Sequence, residues 1–562
     1  MNDSVSNYST KSSLKQHSLS ALVILVSISL HLLWIDQVQR WLNQSMPMSL
    51  FEAASAWYPT PLPWVYIATA WMPLCFGLSV GIVWLTFLFL NRLSNDVRLS
   101  FLLSILLLLL AVTVKIPKSD YYVGRRVFMA VAFIAVFAVA WFSRSKLSIA
   151  YQWLKQPKNA NVVAYILIGL SIIQRLISLY VRPDILAEGD DPLYYHNSAV
   201  ALAKQGILPG SYFSPGLPYY LGIFYKVFGV KILSAQISLI VLSTISLIIL
   251  YRVVKRYYGG PLVGVITLLV FNLHSQYIAS ASQFLNDHFF MLLLPIFLWL
   301  IHRITELSKF GLSIIILSIS LGFFLFVMSL FRSWAPILLV VLFIMPFFLR
   351  YKFSSFFGFQ NLFLIILPFI IFVICSFGYK NLTKENQSTV ATTSNLATII
   401  IQGNNPYSQG AYSRHLQTYT RELGLENDIN KVLPILWQYC IDHPFHLPTV
   451  FSKKAVLWFW GAGNPKYFGG YYLAPLSLAA YYLRIFWFLL SIAGFYLLAQ
   501  DKKYVPTLLY FAMSVTFILL FLEHRFLLVS LPIQAIAIGY FVDKLLTTPS
   551  LRRHLWLPDS KH

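Results

Sequence analysis

The 562-residue chain is 58% hydrophobic and 11% charged, with 45 Phe, 33 Tyr, 15 Trp and a mean hydropathy of +0.68. So apolar a composition excludes an ordinary soluble multidomain protein and describes a polytopic helical membrane protein with aromatic-rich interfaces. The net charge of +22 is not a nucleic-acid footprint, because the Lys and Arg residues sit mostly in short loops between apolar runs. Cys75, Cys375 and Cys440 are scattered and give neither a disulfide framework nor a metal-ligand spacing.

Residues 1–17 are polar, with Lys11 and Lys15, and the apolar run behind them lacks a small-residue cleavage site; it reads as a retained helix. Runs long enough to cross ~30 Å of hydrocarbon recur at 18–35, 64–90, 98–114, 127–142, 161–181, 231–251, 261–282, 288–302, 311–331, 334–349, 361–379, 475–499, 504–522 and 526–545. The expected fold is an all-α bundle of about 13–14 transmembrane helices. It divides into an accessory group (1–158), a core (159–380) with a first outer loop at 182–228, an extracytoplasmic cap (381–474) and a closing segment (475–562).

Basic loops set the orientation. Segments 144–158, 252–256, 302–309, 350–352 and 501–503 fall on one side together with the N-terminus and the Arg552-Arg553 tail, and that side is assigned to the cytoplasm. Asp287, the 380–474 loop and Glu523 then face outward. One loop disagrees: Lys115, Lys118, Arg125 and Arg126 would also face outward, through a misread span or as a site for lipid phosphate.

Four of the 20 acidic residues, Asp184, Glu188, Asp190 and Asp191, crowd into eight positions directly after the 161–181 run. A carboxylate at a membrane edge must face water or a polar cavity, which makes this loop the place to look for a general base. Asp191-Pro192 has the chemistry of a helix start and Gly206 of a helix stop. Between them Tyr195, Ala199 and Leu202 recur at helical spacing, while Asn197, Ser198, Lys204 and Gln205 fall elsewhere, as in an interfacial amphipathic helix. Asp184 and Glu188 read as a solvated loop face. In the large loop, Asp428 opens a helix through Leu433, Leu436 and Tyr439, halted at His443-Pro444, and a second runs from His446 to Trp460. His443 and His446 have no third ligand at metal spacing and read as structural, and Gly403-Asn-Asn-Pro406 reads as a tight turn.

The order Asp-Asp-x-x-Tyr (Asp190, Asp191, Tyr194), an Ala-rich helix ending in Gly, Pro-Gly-x-Pro-Tyr-Tyr (Pro215–Tyr220) and a Phe-Gly terminus resembles the first outer loop of GT-C glycosyltransferases. These take sugar from a polyprenyl or dolichyl phosphate; the similarity is to the protein-mannosyltransferase and aminoarabinose-transferase-like group. Leu285-Asn-Asp287, Phe331-Arg332, Gly403–Pro406, Asp442-His-Pro444 and Glu523-His-Arg-Phe526 extend it over roughly 160–545. The resemblance implies a GT-C-like bundle with amphipathic outer-loop helices, and a polyprenyl-phosphate-linked sugar and membrane lipid as partners. No cofactor is firmly implied, although a divalent cation is compatible with Asp287. It points to Asp190 as the base, with Asp191 as runner-up and Asp287 as the second acid, which would orient the acceptor or bind that cation. Ser214 stands where the aminoarabinose branch has a phosphate-binding lysine, so Arg332 and Arg525 become the phosphate candidates. His524 and Lys226, with Lys380 and Arg414, stand behind them, and Tyr194, Tyr219 and Tyr220 would supply donors or a stacking face.

The expected reaction is inverting transfer from a lipid-phosphate sugar to a protein, lipid or glycan acceptor outside the membrane. An oligosaccharide polymerase or ligase with a lipid-diphosphate donor would want a more arginine-rich outer loop. A transporter or flippase would favour broken helices and mid-membrane charges, whereas these acids stand at span ends.

Overall fold

The computed structural model describes residues 151–181, 190–208, 214–274, 277, 284–307, 311–332, 334–349, 359–383, 400–406, 415–425, 429–460, 487–488, 490–520 and 527–547. Residues 146–548 form one compact unit. The four runs of the accessory group lie outside the described residues, as does the discordant 115–126 loop.

The order is α1 (Pro157–Val181), α2 (Asp190–Gln205), α3 (Gly216–Phe228), α4 (Ile232–Tyr257), α5 (Pro261–Leu273), α6 (Asn286–Glu306), α7 (Leu312–Phe331), α8 (Ile337–Leu349) and α9 (Phe359–Thr383). Helices α10 (His415–Glu422), α11 (Ile429–Asp442) and α12 (His446–Trp460) follow, in the segment expected to form a cap. A short apolar helix α13 (Leu490–Gln500), α14 (Val505–Leu519) and α15 (Leu527–Thr547) close the chain. Six of these, α1, α4, α6, α7, α9 and α15, contain stretches long and apolar enough to cross a bilayer. Every element among the described residues is α-helical, and the protein is an integral membrane protein.

Burial varies among the spans in a way that orders them from lipid to core. Only 6% of the span window in α9 is buried, and Phe369, Ile370, Val373, Ile374 and Phe377 are exposed, as suits a lipid-facing helix. In α6 the figure is 67% and in α15 it is 72%. A helix apolar on every face belongs inside, and α6 accordingly packs against α3, α4, α7 and α15.

Helix α6 departs from the sequence expectation. The apolar run suggests 288–302, which leaves Asp287 outside it, yet the helix begins at Asn286 and carries Asp287 in its first turn. Both polar side chains are buried and have partners across the bundle, so the helix extends past the limit that hydropathy alone sets. Helix α5 is conversely shorter than its 261–282 run, ending at Leu273.

Helix α2 starts at Asp190, one residue earlier than read, and stops where glycine allows it. Gly206 has φ +70°, and its amide donates to the Leu202 carbonyl at 3.0 Å. Tyr195 and Ala199 bury themselves against Leu217, Leu221 and Tyr225 of α3, so its apolar stripe meets protein rather than lipid. Ser198, expected on the polar side, is buried as well. The α3 end of the motif is pinned by close contact: a Cβ on Gly216 would lie 2.7 Å from the Phe331 ring and 2.9 Å from the Leu330 backbone.

At the opposite end of the bundle the basic groups converge. Arg256 and Arg303 both bind Glu306, at 3.0 and 2.9 Å, and Lys544 binds Asp501 at 2.6 Å. Lys155 and Lys503 gather around Asp543 beside them.

Candidate active site

The end of the bundle where α1, α5 and α7 finish and α6 begins holds a continuous polar seam. At its centre Asp287 is completely buried and forms an ion pair with Arg332, the residue that caps α7. Helix α7 is apolar to its last turn, so the guanidinium at its end reaches the first polar partner available, and Arg332 retains 15% side-chain exposure. Burial strengthens such a pair and makes the loss of either partner expensive.

The segment between α1 and α3 is tied to the same turn. The Asn286 amide donates to the Tyr195 hydroxyl at 2.9 Å and to the Ser214 carbonyl at 3.2 Å. Ser214, which stands where a lysine was sought, therefore lies at the seam through its backbone. His196 shares a 2.8 Å hydrogen bond with the Tyr225 hydroxyl, and burial lowers the imidazole pKa and raises that of the phenol. Tyr220 donates to Ser238 at 2.9 Å and packs its ring on Phe289, which in turn stacks on Phe331 at 4.2 Å. Aromatic packing thus holds α2, α3, α6 and α7 in one arrangement around Asp287 and Arg332.

The predicted residues fare unequally. Asp287 and Arg332 meet directly. Tyr220 lies one ring away, while Tyr219 turns toward Tyr379 of α9, hydroxyl to hydroxyl at 3.5 Å. Tyr194 is half-buried in the same cluster as Tyr195, and Asp191 is half-exposed in the first turn of α2. Lys226 is exposed in the last turn of α3, and Lys380 is exposed in the last turn of α9. The Asp190 side chain, Arg414, His524 and Arg525 lie outside the described residues.

Four participants escaped sequence reading: Asn286, Tyr195, His288 and Arg175. Arg175 carried a signal, as the one arginine inside an otherwise apolar span, on the same face as Ser171 and Gln174. It is fully buried; its Nη2 donates to the Tyr277 hydroxyl, and its guanidinium carbon lies 4.5 Å from that ring centroid. Tyr277 stacks on His288 at 5.7 Å, which joins Arg175 to the Asp287 turn.

In the cap, α11 and α12 occupy the expected residues. Gly403-Asn-Asn-Pro406 is more than a turn: the Asn404 carbonyl accepts from His446 at 2.8 Å, and its Oδ1 accepts from the buried Lys454 ammonium at 2.8 Å. Lys454 also donates to the Leu520 carbonyl at the end of α14, at 2.9 Å. Its pKa is pushed down to about 7 by burial. His443 and His446 each donate to a backbone carbonyl, and among the described residues there is no group of three His, Cys, Asp or Glu able to hold a metal ion.

Residues 213–385 match the family described as dolichyl-phosphate-mannose-protein mannosyltransferase. The segment spans α3 to α9 and includes Asp287 and Arg332. No curated protein matches the chain. Among solved structures, the *Archaeoglobus fulgidus* oligosaccharyltransferase with Zn and sulfate is similar at 12% identity and TM-score 0.38, over 69% of this chain and 51% of that one. The oligosaccharyltransferase AglB of the same organism, with an inhibitory peptide and a dolichol-phosphate, shows 14% identity and TM-score 0.38 over 73% and 53%. ArnT from *Cupriavidus metallidurans*, bound to undecaprenyl phosphate, shows 11% and 0.36 over 67% and 77%. The chain spans about half the length of the archaeal structures it matches.

Proposed function

We propose that this core is a GT-C-type inverting transferase that moves a sugar from a polyprenyl-phosphate donor to an acceptor hydroxyl or amine on the extracytoplasmic face. The observation that carries this reading is the buried Asp287–Arg332 pair at the end of the bundle where the outer loop is anchored. It stands opposite the basic cluster that the positive-inside rule assigns to the cytoplasm.

In the proposed reaction a carboxylate at the start of α2, Asp190 first and Asp191 second, takes the acceptor's proton as its heteroatom attacks the anomeric carbon. The bond from that carbon to the phosphate oxygen breaks, and the phosphate leaves with the electron pair. Arg332 faces this developing charge. Asp287 is then a positioning residue that holds the guanidinium in place, a narrower role than orienting the acceptor or binding a cation. A divalent ion on Asp287 would have to displace Arg332.

Asp190→Asn tests the assignment of the base. It removes the basic oxygen at nearly constant shape, so transfer is expected to fall by at least about 100-fold with membrane insertion and melting temperature unchanged. Undiminished transfer in that variant would remove Asp190 from the mechanism.

A further inference from the structure

Arg332 is already committed to a carboxylate. Arg175 is not: its Nε and Nη1 are buried and have no hydrogen-bond partner among the described residues, and the hydroxyl of Tyr277 is neutral. Close by, Ser171 Oγ, Gln174 Oε1 and Asn272 Oδ1 are buried without partners among the described residues, and of these the Ser171 hydroxyl can donate to an anion. An isolated guanidinium inside a span is costly, and such a residue is retained where an anion or a polar ligand completes it. The chemistry of the proposed reaction calls for one. A phosphodiester donor carries one negative charge and the released lipid monophosphate carries up to two, so a cation already balanced by Asp287 is not enough for the product.

We propose that Arg175, presented by α1 behind Tyr277 and His288, binds the phosphate of a lipid-borne phosphate ester through an N–H group that Tyr277 does not take. This rests on the lipid-phosphate donor reading and adds a second guanidinium to its site. Nε–H and the Nη1 hydrogens lie on different edges of the guanidinium, so each offers a phosphate oxygen a single charge-assisted hydrogen bond. Entry from the bilayer requires the outer end of α1 to part from α5. The helix is peripheral, with 28% of its span window buried and Ile173, Leu176, Ile177 and Tyr180 exposed, so the separation disturbs little core.

The test is thermal unfolding of the purified full-length protein in detergent, titrated with farnesyl monophosphate, farnesol or dioleoyl phosphatidate, for wild type, Arg175→Met and Arg175→Lys. Farnesyl monophosphate is expected to stabilise wild type while farnesol does not. Arg175→Met is expected to melt higher than wild type without ligand and to bind the monophosphate roughly tenfold or more weakly; Arg175→Lys keeps part of the affinity. Phosphatidate as effective as farnesyl monophosphate would uphold the phosphate site and assign it to bilayer lipid, weakening the donor reading alone. Equal binding by wild type and Arg175→Met would overturn the role of Arg175 and leave the donor reading standing. Wild type that ignores both phosphates would sink the two together.

Discussion

Asp287 and Arg332 join the first turn of α6 to the end of α7, and Asp287 does so with no exposed surface at all. Removing one partner strands the other in a low-dielectric seam. Asp287→Asn or Arg332→Met alone is expected to cost about 3–5 kcal/mol of stability. The double variant Asp287→Leu/Arg332→Met should recover most of that while remaining inactive. A double-mutant cycle from thermal unfolding, run beside a transfer assay, separates the two roles; recovery of transfer along with stability would show that the pair only holds the fold.

Gly216→Ala places a methyl group 2.7 Å from the Phe331 ring and 2.9 Å from the Leu330 backbone. The α7 backbone cannot yield as a flexible side chain would, so the cost is about 1–3 kcal/mol. The strain falls next to Arg332, and activity should drop more than the loss of folded protein explains. Residual transfer normalised to folded protein, measured by size exclusion, checks this; a normal specific activity would detach the Pro-Gly-x-Pro segment from the site.

Tyr195→Phe removes the hydroxyl that accepts from Asn286 and leaves the Ser214 carbonyl as the amide's remaining acceptor. A destabilisation of about 1–2 kcal/mol is expected, with faster proteolysis in the outer loop before α3. Unchanged proteolysis there would mean that the Asn286 contacts do not hold the loop.

Lys454 predicts a pH dependence of known sign. Its pKa is pushed down to about 7 by burial, well below the 10.5 of a free lysine. Between those values the unfolded chain binds more protons than the folded one, so stability rises with pH across that window, at up to about 1.4 kcal/mol per unit. Below pH 7 both states are protonated and the slope vanishes. Melting of wild type should therefore climb from pH 7 to 9, and Lys454→Met should flatten the climb. A wild-type profile already flat would contradict the buried ammonium.

The helices that hydropathy and punctuation define were legible in the sequence. The α2 stop at Gly206, the break at His443-Pro444 and the lengths of α7, α11 and α12 follow from local chemistry. Membership of Asp287 in α6 was not, because the apolar run starts at 288, although a carboxylate suits the first turn of a helix; Arg332, the partner that lets it be buried, is 45 residues away in the chain. Arg175 was hidden for a related reason. A hydropathy window averages a lone arginine into its apolar neighbours, whereas helical position, on one face with Ser171 and Gln174, exposes it. Lys454 and Asn404 meet across the cap only through the end of α14, a juxtaposition that no spacing rule contains.

The central claim concerns chemistry at a lipid-linked phosphate, and the direct measurement is sugar transfer by the purified protein in detergent, without a membrane or a gradient. A polyprenyl-phosphate sugar of defined anomeric configuration serves as donor, and the product's configuration is read by NMR. The account predicts transfer with inversion, lost in Arg332→Gln. Retention at the anomeric carbon, or activity that appears only with an imposed gradient across a sealed vesicle, would contradict it.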